Sequence, residues 1–107
     1  MRIATFNCNS IRTRMDTILA WLKEHEPDVL CLQETKVQDA DFPLGPIHDA
    51  GYQVVFRGMK AYNGVAVVSR APVSDVQFGL LDEPFDPFRI MRARLGDVTI
   101  VNTYIPT

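Results

Sequence analysis

An amide, a carboxylate and a phenol stand where three apolar runs stop: Asn7 after Arg2 to Phe6, Glu34 after Val29 to Leu32, and Tyr104 at the end of Val98 to Tyr104. Their chemistry is hard oxygen plus a phenol. A carboxylate with amide help suits Mg²⁺, which prefers octahedral oxygen ligation, keeps several waters and is often held by one or two protein carboxylates together with substrate phosphate. A metal so held neutralises a phosphate oxygen and stabilises a leaving alkoxide. Glu34 leads these candidates, because the stretch Asp28 to Lys36 is an apolar run ending abruptly in a carboxylate with polar neighbours. Parallel strands buried on both faces read this way, and their carboxyl ends open into the ligand crevice. Plainer alternatives stand beside each candidate: a solvated turn residue for Glu34, a strand-end cap for Asn7, and an amphipathic core-edge residue for Tyr104.

Other reaction classes find little support. The chain has no nucleophile elbow, Walker loop, Gly-rich dinucleotide loop or zinc spacing. Ser69 follows a buried run without a histidine nearby in sequence, while His25 ends a helix and His48 sits in a loop. None of them reads as the group that activates a water. Cys8 and Cys31 are too few and too far apart for a disulfide framework, form no metal-type pair, and read as reduced thiols in or near a core. Lys36, Arg57, Lys60, Arg70, Arg89, Arg92 and Arg94 are scattered, and most read as solvated; Lys36 and Lys60 are the best placed to meet a phosphate. A net charge of −2 argues against nonspecific coating of nucleic acid, so any polyanion must be met locally.

The elements that must hold these groups follow from pattern and punctuation. Arg2 to Phe6 is a strand, and Asn7 to Ser10 are suited to a turn and to capping. A helix follows, with Thr13 and Asp16 spaced as a capping box and an apolar stripe at Met15, Ile18, Leu19 and Leu22, until Pro27 ends it near His25 or Glu26. Val29 to Leu32 is the next strand, parallel to the first, so Asn7 and Glu34 should face one crevice. Thr35 to Ala50 reads as a loop with at most a helical turn around Ile47 to Ala50. Tyr52 to Phe56 and Val65 to Val68 form an antiparallel hairpin across a Gly58 to Gly64 turn. Val73 to Leu81 is a weak strand, Asp82 to Phe88 an exposed loop, and Arg89 to Leu95 with Val98 to Tyr104 a hairpin on a type II′ Gly96-Asp97 turn.

A chain of 107 residues, 47% apolar, supports one small α/β domain with a real core. It carries no repeat, low-complexity tract or charge block. No apolar run nears the roughly 20 residues that span a bilayer, and no basic leader or cleavage site opens the chain, which points to a cytoplasmic protein. About six strands of a mixed sheet are set against one clear helix, too little cover for the apolar surface they carry. The expectation is therefore half of a larger two-sheet structure, its open face covered by a missing C-terminal half or by a second chain.

Read in order, the segments Phe6-Asn7-Cys8-Asn9-Ser10-Ile11-Arg12, Leu32-Gln33-Glu34-Thr35-Lys36-Val37-Gln38 with Asp41-Phe42-Pro43, Tyr62-Asn63-Gly64 through Arg70, and Asn102-Thr103-Tyr104-Ile105-Pro106 resemble the successive N-terminal motifs of the exonuclease III family of apurinic/apyrimidinic endonucleases. Together they are specific, and they run from end to end. The resemblance implies residues 1–107 as the N-terminal half of a four-layer α/β sandwich. It also implies hydrolysis of the phosphodiester 5′ to abasic sites in double-stranded DNA, dependent on Mg²⁺ or Mn²⁺, with 3′ exonuclease and 3′-phosphatase activities. By position Glu34 matches the metal-ligating glutamate, Asn7 the amide that orders the metal site, and Tyr104 the tyrosine near the scissile phosphate; Tyr62 and Asn63 match a DNA-contacting loop. Ser10 stands where a glycine is frequent, Arg94 where an acidic residue is common, and Thr107 where Asn or Gln usually follows the proline. The family's Asp-x-Asn and terminal Ser-Asp-His motifs lie outside these residues, so the chain alone is expected to be inactive. Rival expectations are a self-associating half-domain acting as a binding module, and another phosphodiesterase of the same superfamily.

Overall fold

Consecutive apolar residues in a strand need cover on both faces, and the second strand of this chain finds it. A computed structural model describes residues 1–79 and 86–106. In it β1 (Ile3–Asn7), β2 (Val29–Gln33), β3 (Gln53–Met59) and β4 (Tyr62–Ser69) form one sheet in the order β1-β2-β4-β3, with β1 parallel to β2 and β4 antiparallel to its neighbours. A second sheet, β5 (Ser74–Phe78), β6 (Ile90–Leu95) and β7 (Val98–Thr103), is an antiparallel meander. Helices α1 (Ile11–His25) and α2 (Leu44–Asp49) complete the described elements.

The two faces of β2 are buried by different layers. Leu30 and Leu32 pack with Ile11, Ile18 and Leu22 of α1, Ile47 of α2, and Ala66 and Val68 of β4. Val29 and Cys31 pack, with Val65 and Val67, against Met91, Leu95 and Ile100 of the second sheet. The cover that helix counting could not supply is thus largely a sheet. β6 alternates buried Met91, Ala93 and Leu95 with exposed Arg92 and Arg94, the pattern of a strand with one face inward. What stays open is the edges: β1 and β7 each end their sheet, and Ile3 and Val101 on them are 49% and 59% exposed.

Several local expectations change. Helix α1 starts at Ile11, so Thr13 lies inside it and its hydroxyl donates to the Ser10 carbonyl at 3.1 Å instead of capping. The reason is tertiary: the Ser10 and Ile11 amides donate to the Glu34 and Thr35 carbonyls at 2.8 and 3.0 Å, which satisfies two donors at the helix start. The loop after Glu34 holds a 3₁₀ turn, Asp39–Asp41, and a longer helix than one turn, α2, with Pro46 in its first turn where a missing N–H costs nothing. The β3–β4 turn is tighter than Gly58 to Gly64, because both strands run on to Met59 and Tyr62 across a bulge between Arg57 and Met59. The weak strand narrows to Ser74–Phe78, and Leu80, Leu81, the 82–85 part of the expected loop and Thr107 lie outside the described residues. Gly96 takes φ +59°, as the first position of a II′ turn requires. No helix among the described residues is long and apolar enough to cross a membrane.

Candidate active site

Parallel pairing sets the first part of the site. Asn7 is opposite Gln33 in the β1–β2 register, so Glu34 emerges at the same sheet end as Asn7, one residue further on. Because β3 runs parallel to β2, the β3–β4 turn with Lys60 arrives at that end as well. Three loops therefore converge: 8–10 after β1, 34–37 after β2, and 60–61 between β3 and β4.

Backbone hydrogen bonds knit these loops together. The Cys8 amide donates to the Gln33 carbonyl at 3.0 Å, and the Lys36 amide donates to the Asn63 carbonyl at 2.9 Å. Thr35 donates to Gly64 at 3.3 Å, and Ala61 to Lys36 at 3.2 Å. The conformations are unusual for L-residues: Asn9, Ser10, Glu34, Lys36, Ala61 and Asn63 all have φ between 45° and 94°. Such backbone persists only where the surroundings over-determine it, and it clusters at functional sites. Gly64, at φ +99°, allows the closest approach, since a Cβ there would lie 2.0 Å from Thr35 Oγ1.

Tyr104 comes from the second sheet. Its amide donates to the Arg89 carbonyl at 2.7 Å, and its ring packs on the core between the sheets. Its hydroxyl is within hydrogen-bonding reach of the Glu34 carboxylate, and that contact, with some burial, raises the phenol pKa above its ordinary value. The structure thus brings Asn7, Glu34 and Tyr104 to one place.

The remaining candidates ring this centre. Lys36 Nζ donates to Asn9 Oδ1 at 2.5 Å, and Asn7 Oδ1 accepts from the Asn9 amide at 3.1 Å, so Lys36 and Asn7 are linked through Asn9. Lys60 is exposed on the turn, and Tyr62 is 67% exposed at the start of β4. Asn63 serves the loop as well as the surface, holding Lys36 through its carbonyl and Met59 Sδ through its side-chain amide at 3.5 Å.

Sequence reasoning passed over Arg89 and Asn102 as individuals. Arg89 pairs with Asp86 at 2.5 Å, and its positive charge bears on Tyr104. Its signal, one arginine among many, was too weak. Asn102 is buried between the sheets and bonded to Gln33, Leu32 and Ala66. A polar residue at an inward position of an otherwise alternating strand was the available clue.

The donor set, a carboxylate and an amide at one sheet end, fits a hard divalent cation such as Mg²⁺ or Mn²⁺. Among the described residues no three His, Cys, Asp or Glu side chains come together as a metal cluster. Such a cation retains water and shares phosphate, so few protein ligands suffice for it.

The family model for the Endonuclease/Exonuclease/phosphatase family matches residues 4–106. The chain belongs to that family. Among its relatives, exodeoxyribonuclease III of Haemophilus influenzae is 33% identical over 111 residues, an alignment covering 99% of this chain and 42% of the relative. Among solved structures, an AP endonuclease from Archaeoglobus fulgidus superposes with a TM-score of 0.95 at 50% identity, over 99% of this chain and 41% of that one. A 3′ phosphatase from Neisseria, bound to product DNA hairpin, gives 0.92 at 40% identity, over 97% and 41%. The expected resemblance to exonuclease III and AP endonucleases, and the α/β architecture it implied, are borne out. The chain spans about two fifths of the length of these family members.

Proposed function

We propose that this chain is the N-terminal part of a DNA repair nuclease that hydrolyses phosphodiesters 5′ to abasic sites and at 3′ ends. One observation carries the reading: Asn7 and Glu34 leave one sheet at the same end, and Tyr104 reaches Glu34 from the other. The DNA nuclease and phosphatase activities of its relatives support the substrate class. Residues 1–107 are, on this reading, part of one domain whose remainder closes the β1 and β7 edges.

Glu34 and Asn7 are the residues that would hold Mg²⁺ or Mn²⁺, which when bound supplies positive charge to a phosphate oxygen. Glu34 keeps its carboxylate at the crevice by a loop locked in left-handed backbone. Tyr104 has one hydroxyl proton, which meets the Glu34 carboxylate here and would pass to a phosphate oxygen only when that contact opens. Lys36 and Lys60 offer cations to the DNA backbone, and Tyr62 offers an exposed ring to the duplex, beside the half-buried Asn63. Among the described residues none is placed as the base that activates water, and this reading expects that group from elsewhere in the complete protein.

The test is Glu34→Ala in the complete protein, assayed on abasic duplex DNA. Turnover should fall by on the order of a hundredfold or more with the melting transition preserved. Wild-type rates at saturating Mg²⁺ would overturn the assignment. Residues 1–107 alone should show no cleavage.

A further inference from the structure

Tyr104 and Glu34 belong to different sheets, and those sheets meet largely through aliphatic side chains. That attraction favours burial but has no direction, so it does not choose how far one sheet lies along the other. Asn102 supplies a direction. It is 2% exposed, and its Nδ2 donates to the Leu32 carbonyl at 3.0 Å and to the Ala66 carbonyl at 2.8 Å. Its Oδ1 accepts from Gln33 Nε2 at 2.7 Å, and the same Gln33 amide donates to Thr5 Oγ1 at 2.8 Å. One side chain of β7 thus grips β2 and β4 directly, and β1 through Gln33.

The position of this grip matters. Gln33 immediately precedes Glu34, and Asn102 lies two residues before Tyr104, whose ring faces the same inter-sheet core. We propose that Asn102 is a positioning residue: by pinning the end of β7 to the end of β2 and the middle of β4, it fixes where the Tyr104 phenol meets the Glu34 carboxylate. An aliphatic side chain would fill the same space without that specification. Hydrogen bonds in a buried, fully satisfied network select one arrangement, and no described buried side-chain N or O lacks a partner. The consequence for catalysis rests on the nuclease reading above.

The experiment uses the complete protein with Asn102→Leu, Gln33→Met, Tyr104→Phe and the Asn102→Leu/Tyr104→Phe pair. Asn102→Leu should lower kcat by about 10- to 100-fold through misplacement of Tyr104, while KM stays within about threefold because Lys36, Lys60 and Tyr62 are untouched. The pair should be no slower than Tyr104→Phe alone, because Asn102 acts through Tyr104. A second readout needs no metal or substrate: with 3-fluorotyrosine at position 104 of the metal-free protein, the fluorine resonance should shift toward that of an exposed tyrosine and broaden in Asn102→Leu. Additive losses in the pair, an unmoved resonance, or a lower melting temperature with kcat intact would each overturn the proposal. Should Asn102→Leu fail to fold, Gln33→Met, which leaves both carbonyl contacts in place, carries the same comparisons with a smaller shift expected. Failure of the nuclease reading looks different: the complete wild-type protein would then leave abasic duplex DNA uncut, whereas the fluorine result is indifferent to the reaction.

Discussion

At the residue scale, the meeting of Tyr104 with Glu34 makes a titration prediction. The phenol pKa is raised chiefly by its hydrogen bond to the carboxylate, then by burial and by the Glu34 charge, with the Arg89 charge opposing. Glu34→Gln removes the negative charge, so the Tyr104 pKa should fall toward its ordinary value. Ultraviolet titration of the two proteins, with Tyr104→Phe identifying the transition, measures it; an unchanged midpoint would show that the two groups do not touch in solution. Asn7 and Glu34 were legible in the sequence because a strand, helix, strand unit with a parallel pair brings two strand ends together by local rules. Their partner was not. Tyr104 reaches Glu34 by the packing of one sheet on another, which no spacing along the chain encodes, and for Asn102 the alternation of its strand marks an inward polar residue without naming the carbonyls it meets.

At the scale of elements, the loops at the crevice are held by one another, and the hairpin β3–β4 is their support. Gly58 and Gly64 let it come close: a Cβ at Gly58 would lie 2.1 Å from the Val37 carbonyl, and one at Gly64 2.0 Å from Thr35 Oγ1. Gly64→Ala adds a left-handed backbone penalty to that collision, at φ +99°. Thr35 is buried and follows Glu34 directly, so the displacement should reach the carboxylate. The expected loss is about 2 kcal/mol or more in denaturant unfolding, with a fall in turnover of the complete protein. Gly45→Ala is the control, since nothing lies within 4 Å of its Cβ position, and it should change little. The same dependence on neighbours explains why the capping box misread the start of α1. The Ser10 and Ile11 amides are satisfied by the Glu34 and Thr35 carbonyls, so the helix begins where the next loop meets it.

At the scale of the whole molecule, two cores flank the central sheet, and each contains one thiol. Cys8 lies with the helices and Cys31 between the sheets; burial raises both from 9.0 to about 11. A raised pKa means that the folded state resists losing this proton. Each thiol therefore contributes its full stabilisation below pH 9, and the contribution is lost as pH rises from 9 toward about 11. For Cys8 the cost of ionisation has a visible cause. Its Sγ donates to the Gln33 and Glu34 carbonyls at 3.4 and 3.6 Å, and a thiolate would face those oxygens, and the Glu34 carboxylate, without its proton. Lysines and tyrosines also titrate in this range, so the wild-type curve alone does not decide the matter. Comparison with Cys8→Ala and Cys31→Ala does. Each variant should lose stability at neutral pH through its cavity, yet fall less steeply than wild type between pH 9 and about 11, and the double variant should be the flattest. Denaturant midpoints across that window supply the measurement. Parallel curves for all four proteins would mean that neither thiol stays protonated in the folded chain, and that the packing of both layers around the central sheet is looser than described.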